Sequence, residues 1–192
     1  MQAISIIKSE HKNLQAVLYS LEKLIEEIDG GKQPDFSIFH GLFTYLDRFL
    51  DRYHHPKENH YLFPKLLQRA PETEGLIREL GQQHTEGGIL FVEMLKALSA
   101  YEFSGTPEFP RFRDTVLRYT GFERDHAIKE EKEVLPKARE VLKAADWEEI
   151  DAAFGDNEDP MFGKKPHDEF ANLLNQLVNS LPAPLGLGEN WK

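Results

Sequence analysis

The sequence predicts an all-α protein: an up-down-up-down four-helix bundle with a short C-terminal helical extension and an extended tail. Three observations carry this. Four long segments place apolar residues at steps of three and four, the spacing that lays one stripe along a helix. Short breaks rich in Gly and Pro divide the segments, and short connections make successive helices antiparallel neighbours. A chain of 192 residues, 40% of them hydrophobic, suits one core with an appendage better than two independent domains.

The first helix runs from about Ile4 to Ile28, with Ile4, Ile7, Leu14, Leu18, Leu21, Ile25 and Ile28 on its stripe. Gly30-Gly31-Lys32-Gln33-Pro34 ends it. The second starts near Asp35 and carries Phe39, Phe43, Leu46, Leu50 and Leu62 towards Arg69. Pro56 and Pro64 fall inside it; a proline has no N–H and crowds the preceding turn, so a kink, or a break that restarts at Pro56, is expected. Pro71 opens the turn into the third helix, roughly Glu72 to Phe103, with Ile77, Leu80, Phe91, Leu95 and Leu98 inward. Ser104-Gly105-Thr106-Pro107 breaks the chain again. The fourth helix, about Phe109 to Ala144, carries Phe112, Val116, Tyr119, Val134 and Val141.

Residues 1–145 therefore read as the bundle and 146–192 as an extension packed on it. The extension comprises a short helix from Asp146 to Phe154, a stretch rich in Gly, Pro, Asp and Lys, and an amphipathic helix from Pro166 to Leu181. The tail Pro182-Ala-Pro-Leu-Gly-Leu-Gly follows. Met161 and Phe162 are expected to plug the open end of the bundle.

Composition excludes several classes of chemistry. The chain has no cysteine, which removes disulfides, thiolate zinc sites, cysteine-ligated iron–sulfur clusters and cysteine nucleophiles, so any metal must take nitrogen and oxygen ligands. A net charge of -10 argues against a nucleic-acid partner, which clustered Lys and Arg would recognise. No apolar run reaches the roughly 18 residues of a membrane span, so no membrane association is expected. Met1-Gln-Ala-Ile-Ser-Ile-Ile-Lys8 lacks the charged and apolar regions of a secretory signal, so the expected location is cytoplasmic.

The informative residues are polar ones where the stripes should be apolar. His11 falls between Ile7 and Leu14; His54 and Glu58 follow Leu50 at steps of four; His84 follows Leu80; His126 and Glu130 fall between Tyr119 and Val134. A buried carboxylate is costly unless paired or metal-bound, so two in one core need a reason. Counting residues from each turn puts all four histidines in one layer: at about 1.5 Å of rise per residue, the mismatches amount to about 5 Å or less. In both His54-His55-Pro56-Lys57-Glu58 and His126-Ala127-Ile128-Lys129-Glu130, imidazole and carboxylate are four apart and share a face. Two carboxylates from different helices can each bridge two metals while four imidazoles complete the ends. A single histidine on a stripe is more often a hydrogen-bonded core residue than a ligand, and His40, His60 and His167 are read that way.

At these residues the sequence resembles the hemerythrin-like, HHE cation-binding family over about residues 3 to 144. His11 matches the family's first ligand. The segment His54 to Pro64 resembles its second-helix signature, with His54 and Glu58 as ligands. His84 matches the third-helix histidine, and His126 to Pro136 the last motif, with His126 and Glu130 as ligands. Asp159-Pro160-Met161-Phe162-Gly163 and Pro184-Leu185-Gly186-Leu187-Gly188 resemble features of one bacterial branch that has a C-terminal helical extension. Oxygen-carrying members have a second histidine four residues after the third-helix ligand, and here that position is Gly88. With six ligands both metals keep an open position; alternatively His55 or Glu86 supplies a seventh. Gly87-Gly88 weakens the helix by about 1 kcal/mol per glycine, either to admit a small ligand or to let helices pack closely.

The expected cofactor is a di-iron pair with an oxo or hydroxo bridge, because histidine and carboxylate sites with open positions suit non-haem iron; zinc or manganese fit the same ligands in a purified sample. The resemblance implies binding or sensing of oxygen, nitric oxide or redox state, served by a redox partner protein, and a binding protein rather than an enzyme. A second reading is iron handling, with repair of damaged iron centres under nitrosative stress. A third is a ferritin-like oxidase or peroxidase, whose bundle uses Glu-x-x-His on two helices; Glu123-Arg124-Asp125-His126 has that spacing, but helix two offers only Asp51-Arg52-Tyr53-His54. Asp51 and Glu123, each one turn before a ligand histidine, are read as exposed solubilising carboxylates, with outer partners of those histidines as the alternative. A metal-stapled structural bundle is the remaining alternative.

Overall fold

A computed structural model of the chain describes residues 1–156 together with Asp159, Met161 and Phe162. Among the described residues there is no strand, and no helix is long and apolar enough to cross a membrane. Helix α1 is Ala3–Asp29. Helix α2 covers residues 36–69, α3 is Glu74–Ser104, α4 covers residues 109–141, and α5 is Ala144–Phe154. Helices α1 to α4 pack as a bundle, each against the next and α4 back against α1.

The breaks follow local chemistry. Asp35 caps α2, its carboxylate accepting from the Ser37 amide at 3.0 Å. Gly31 and Gly105 turn the chain at φ +96° and +76°, which side chains with a Cβ resist. The fourth helix stops at Val141, before the expected Ala144, because Leu142 turns extended and Ala144 begins α5.

Helix α2 neither kinks apart nor restarts at Pro56. It stays helical by widening: π-helical Asp47–His54 and Glu58–Leu62 alternate with α-helical Phe36–Leu46, His55–Lys57 and Phe63–Arg69. Helix α4 does the same, with π-helical Glu130–Val134 between Phe109–Lys129 and Leu135–Val141. Pro56, Pro64 and Pro136 each follow a π stretch at the second position of the next α segment. A proline has no N–H for the ladder and collides with the carbonyl four residues back; a wider turn there removes the conflict without ending the helix.

The core is two apolar clusters with a polar layer between them. One holds Leu14, Leu18, Leu46, Leu50, Phe91, Phe112 and Tyr119. The other holds Ile7, Leu62, Leu66, Ile77, Leu80 and Val134, closed by Trp147, Ile150 and Phe154 of α5. Leu95, read as inward, is 36% exposed; Met94 buries there instead, alongside Leu98. Helix α5 is tied down by a two-pronged bond from Arg69 to Asp146, at 2.8 and 2.9 Å. Met161 is buried in the first cluster, and the Phe162 ring meets Tyr45 of α2 at 5.8 Å. The helix expected from Pro166 and the final tail lie outside the described residues.

Candidate metal centre

Each bundle helix delivers its polar residue to the layer between the clusters, because each sits on the stripe that builds both. His11, His54, Glu58, His84, His126 and Glu130 are all buried, and they fall into two groups with ligand atoms within 4.8 Å of one another. One is His11, His54, Glu58 and Glu130; the other is His55, Glu58, His84 and His126. Glu58 spans both, with Oε1 3.4 Å from His54 Nε2 and Oε2 3.6 Å from His84 Nε2. Glu130, a member of the first group, also reaches towards the second: Oε2 lies 3.3 Å from His11 Nε2, and Oε1 3.5 Å from His126 Nε2 and 3.8 Å from His84 Nε2.

The outer nitrogens of the rings are engaged. Nδ1 of His54 donates to Glu10 at 2.9 Å and Nδ1 of His11 to Glu131 at 3.1 Å, since an ionised carboxylate only accepts. Nδ1 of His84 meets the Asn59 amide oxygen at 3.1 Å, and Nδ1 of His126 the Gln83 amide oxygen at 2.9 Å. With Nδ1 protonated, neutral imidazole keeps its lone pair on Nε2. Those lone pairs face each other at 3.2 Å between His11 and His54 and at 3.0 Å between His84 and His126. They repel unless a proton or a cation lies between them; burial lowers His11, but Glu130 and Glu131 outweigh it and raise it above the ordinary imidazole range, so in the metal-free chain a proton can serve there. Burial holds His54 below the ordinary imidazole range and His126 at about 4, which keeps both neutral.

The carboxylates make the same demand. All four oxygens of Glu58 and Glu130 are buried without a hydrogen-bond partner. Burial, then the charge of Glu130, pushes Glu58 well above the usual carboxylate range. Burial pushes Glu130 the same way, but the nearby imidazoles of His11, His84 and His126 outweigh it and hold Glu130 well below that range. Four inward lone pairs and four unpartnered carboxylate oxygens suit divalent cations with nitrogen and oxygen ligands, so the residues present fit a metal pair.

His55 joins the second group. It is buried, stacks on the His84 ring at 4.0 Å, and leaves Nδ1 without a partner. The widened turn through Asp47–His54 goes with two successive histidines both being buried. Glu86, the other residue considered for a seventh ligand, is exposed: two residues past His84 on an α-helix is the opposite face. His40 and His60 are exposed as well and take no part, and His167 is outside the described residues.

Glu123 departs from expectation most. It is 2% exposed rather than solvated, and it belongs to neither group. A Cβ on Gly87 would meet its Oε1 at 2.5 Å, whereas one on Gly88 would meet nothing within 4 Å. The Glu-x-x-His spacing at Glu123 therefore does not bring that carboxylate into the layer. Sequence reasoning also missed the outer partners Glu10, Glu131, Asn59 and Gln83. Glu10 carried a signal, since it lies three residues after Ile7 and four before Leu14, at stripe spacing. The other three stand at positions that look like ordinary polar surface.

The sequence model described as the hemerythrin HHE cation binding domain matches residues 2–138, nearly the whole bundle. Proteins named only as uncharacterized, from Mycobacterium bovis and from two strains of Mycobacterium tuberculosis, are 24% identical over 172 residues. The match covers 90% of this chain and 67% of theirs. No solved structure gives a significant match.

Proposed function

Because this chain belongs to the hemerythrin HHE cation-binding family, we propose that its buried layer holds a non-haem di-iron pair that binds or senses oxygen, nitric oxide or redox state. The observation that supports this most is the set of four unpartnered oxygens on Glu58 and Glu130 among the inward-facing nitrogens of His11, His54, His84 and His126. Glu58 and Glu130 would bridge the ions. His11 and His54 would complete one subsite, and His84, His126 and His55 the other. That assignment gives the His11 subsite one imidazole fewer and the more open coordination.

Iron held there supplies reversible one-electron chemistry and an open position for a diatomic ligand. The chain's own part is positioning and exclusion. Glu10, Glu131, Asn59 and Gln83 hold the rings so that Nε2 points inward. The two apolar clusters keep bulk water from the layer above and below. Beside His11, a groove of about 400 Å³ between α1 and α4, lined in part by Lys8, Lys12, Ala127 and Glu131, offers an approach for a small ligand.

The test is metal analysis of freshly purified protein, with optical spectra before and after reduction and exposure to nitric oxide. About two irons per chain, oxo-bridge bands, and a shift on reduction or with nitric oxide are expected. Zinc or manganese in the purified sample calls for anaerobic reconstitution with ferrous iron. Less than one tightly bound metal per chain after that step sinks the di-iron reading.

A further inference from the structure

Tyr45 is a phenol sealed inside an apolar cluster together with a carboxylate. The ring is fully buried, as is Asp159, and the Tyr45 hydroxyl donates to Asp159 Oδ2 at 3.3 Å. The other oxygen of Asp159 accepts the amides of Met161 and Phe162, both at 2.9 Å. Burying a charge is costly, and a phenylalanine beside an apolar residue would fill this space without that cost. Packing alone therefore does not account for the pair.

The phenol also has a route to the polar layer. Tyr45 stacks on Phe49 at 5.4 Å with the planes 7° apart, and Phe49 stacks on His54 at 5.4 Å with 23° between them. Phe49 is itself fully buried, so Tyr45, Phe49 and His54 form one column of rings that ends on a proposed metal ligand. An electron tunnels far better through packed atoms than across a gap, and Phe49 can carry it without being oxidised itself. Phe49 also meets Tyr53, at 6.0 Å, but that phenol has the opposite surroundings. The Lys57 ammonium lies 3.4 Å from the centre of the Tyr53 ring. It also binds Asp156, the acceptor of the Tyr53 hydroxyl, at 2.7 Å. A cation over the ring favours the electron-rich neutral ring and so opposes loss of an electron. At Tyr45 the charged neighbour is a carboxylate, which favours that loss and can take the proton.

We propose that Tyr45 is a redox-active residue, which gives one electron through Phe49 and His54 to the metal pair and its proton to Asp159. This rests on the reading that the layer holds iron. The occasion is an oxidant that needs more electrons than the irons have to give. Hydrogen peroxide takes two electrons and two solvent protons to become two waters. One electron can come from a half-oxidised iron pair, and Tyr45 supplies the second. The phenol O–H bond breaks, a neutral tyrosyl radical remains, and Asp159 Oδ2 holds the proton. Burial, then the Asp159 charge, keeps the phenol well above its ordinary range, so the proton leaves only with the electron.

The experiment uses the full chain loaded with ferrous iron, re-oxidised with one equivalent of ferricyanide per iron pair and mixed with a small excess of hydrogen peroxide. Samples frozen at successive times are read by electron paramagnetic resonance. The wild type is expected to give an organic-radical signal that narrows when its tyrosines carry deuterium. Tyr45→Phe should lose that signal while binding the same amount of iron. Asp159→Asn, which keeps the shape but accepts a proton poorly, should lower the yield by at least about tenfold. Tyr53→Phe should leave it unchanged. A signal that survives in Tyr45→Phe or vanishes in Tyr53→Phe overturns the proposal and leaves the metal centre standing. So does a wild type that binds iron and consumes the peroxide without a radical, or an equal yield from the metal-free chain. A chain that takes up no iron sinks the metal centre and the role of Tyr45 together. If Tyr45→Phe does not fold, Asp159→Asn and Tyr53→Phe decide between them.

Discussion

Gly87 and Glu123 share one volume: a Cβ at position 87 would lie 2.5 Å from the Glu123 carboxyl oxygen. Its neighbour Gly88 faces open space. The two glycines should therefore answer differently to alanine. Gly88→Ala gains helix propensity of about 1 kcal/mol with no clash, which in a chain of this size raises Tm by about 2–4 °C. Gly87→Ala forfeits that gain by displacing a buried carboxyl. Thermal melts of both variants check this, and equal stabilisation at the two positions would contradict the shared volume.

The Glu10 carboxylate fixes the His54 ring from outside at 2.9 Å. Glu10→Ala should leave the helical content unchanged and weaken metal binding by about 10–100-fold, the usual effect of losing a partner that orients a ligand. Competition against a chelator of known affinity measures it. An unchanged affinity would show that packing alone orients the ring.

Metal-free protein should lose stability as the pH rises from 6.5 to 8. Burial, with Asp51 and Glu130, lifts Glu123 from 4.5 to about 8, so over that window the folded chain keeps a proton that the unfolded chain has released. Glu58, raised by burial and by Glu130, acts in the same direction. His11 also does: burial lowers it, but Glu130 and Glu131 raise it further, to a net value above 6.5. His126, lowered by burial from 6.5 to about 4, adds stability as pH rises through that lower range and nothing further above it. Glu123 alone implies a loss of about 2 kcal/mol between pH 6.5 and 8. Denaturant unfolding at the two pH values should show it, and Glu123→Gln should flatten much of the slope.

Asp146 joins α5 to α2. It accepts both Arg69 bonds and also the Lys143 amide at 2.9 Å, and these bonds hold it at about 2, below its ordinary 3.8. Asp146→Ala should cost about 2 kcal/mol at neutral pH by removing the cap and the ion pair together. Because the folded pKa is depressed, the contribution is whole above pH 3.8 and lost as pH falls through about 2. Urea unfolding of variant and wild type should converge at the acid end.

Periodicity showed the four bundle helices and the layer that His11, His54, Glu58, His84, His126 and Glu130 share, because a polar residue on an apolar stripe must point where its neighbours point. It did not show what surrounds them. Asn59 and Glu131 stand on outer faces and reach the rings through their length, so nothing in their spacing sets them apart. Glu123 looked solvated because the groove that buries it is made by Gly87 on another helix. Pro56 and Pro64 looked like interruptions because standard helix rules assume one winding, and the chain uses a second.

That second winding gives parts of two helices a residue that ordinary winding would not hold. Glu58 and Glu130 each begin a π-helical stretch that ends just before the residue preceding a proline. The extra residue in such a turn is spent on width: a turn closed by an i→i+5 bond holds one residue more than an α turn for nearly the same rotation. Deleting one residue between Glu58 and Leu62 would therefore return the stretch to ordinary winding and leave the apolar stripe beyond it facing the core, while removing the wide turn that accommodates Pro64. The same deletion within Phe36–Leu46, where the winding is already ordinary, would rotate everything beyond it by about 100°. Two chains of this kind can therefore differ by one letter at these turns and keep the same face, while elsewhere along the same helices the count has to agree.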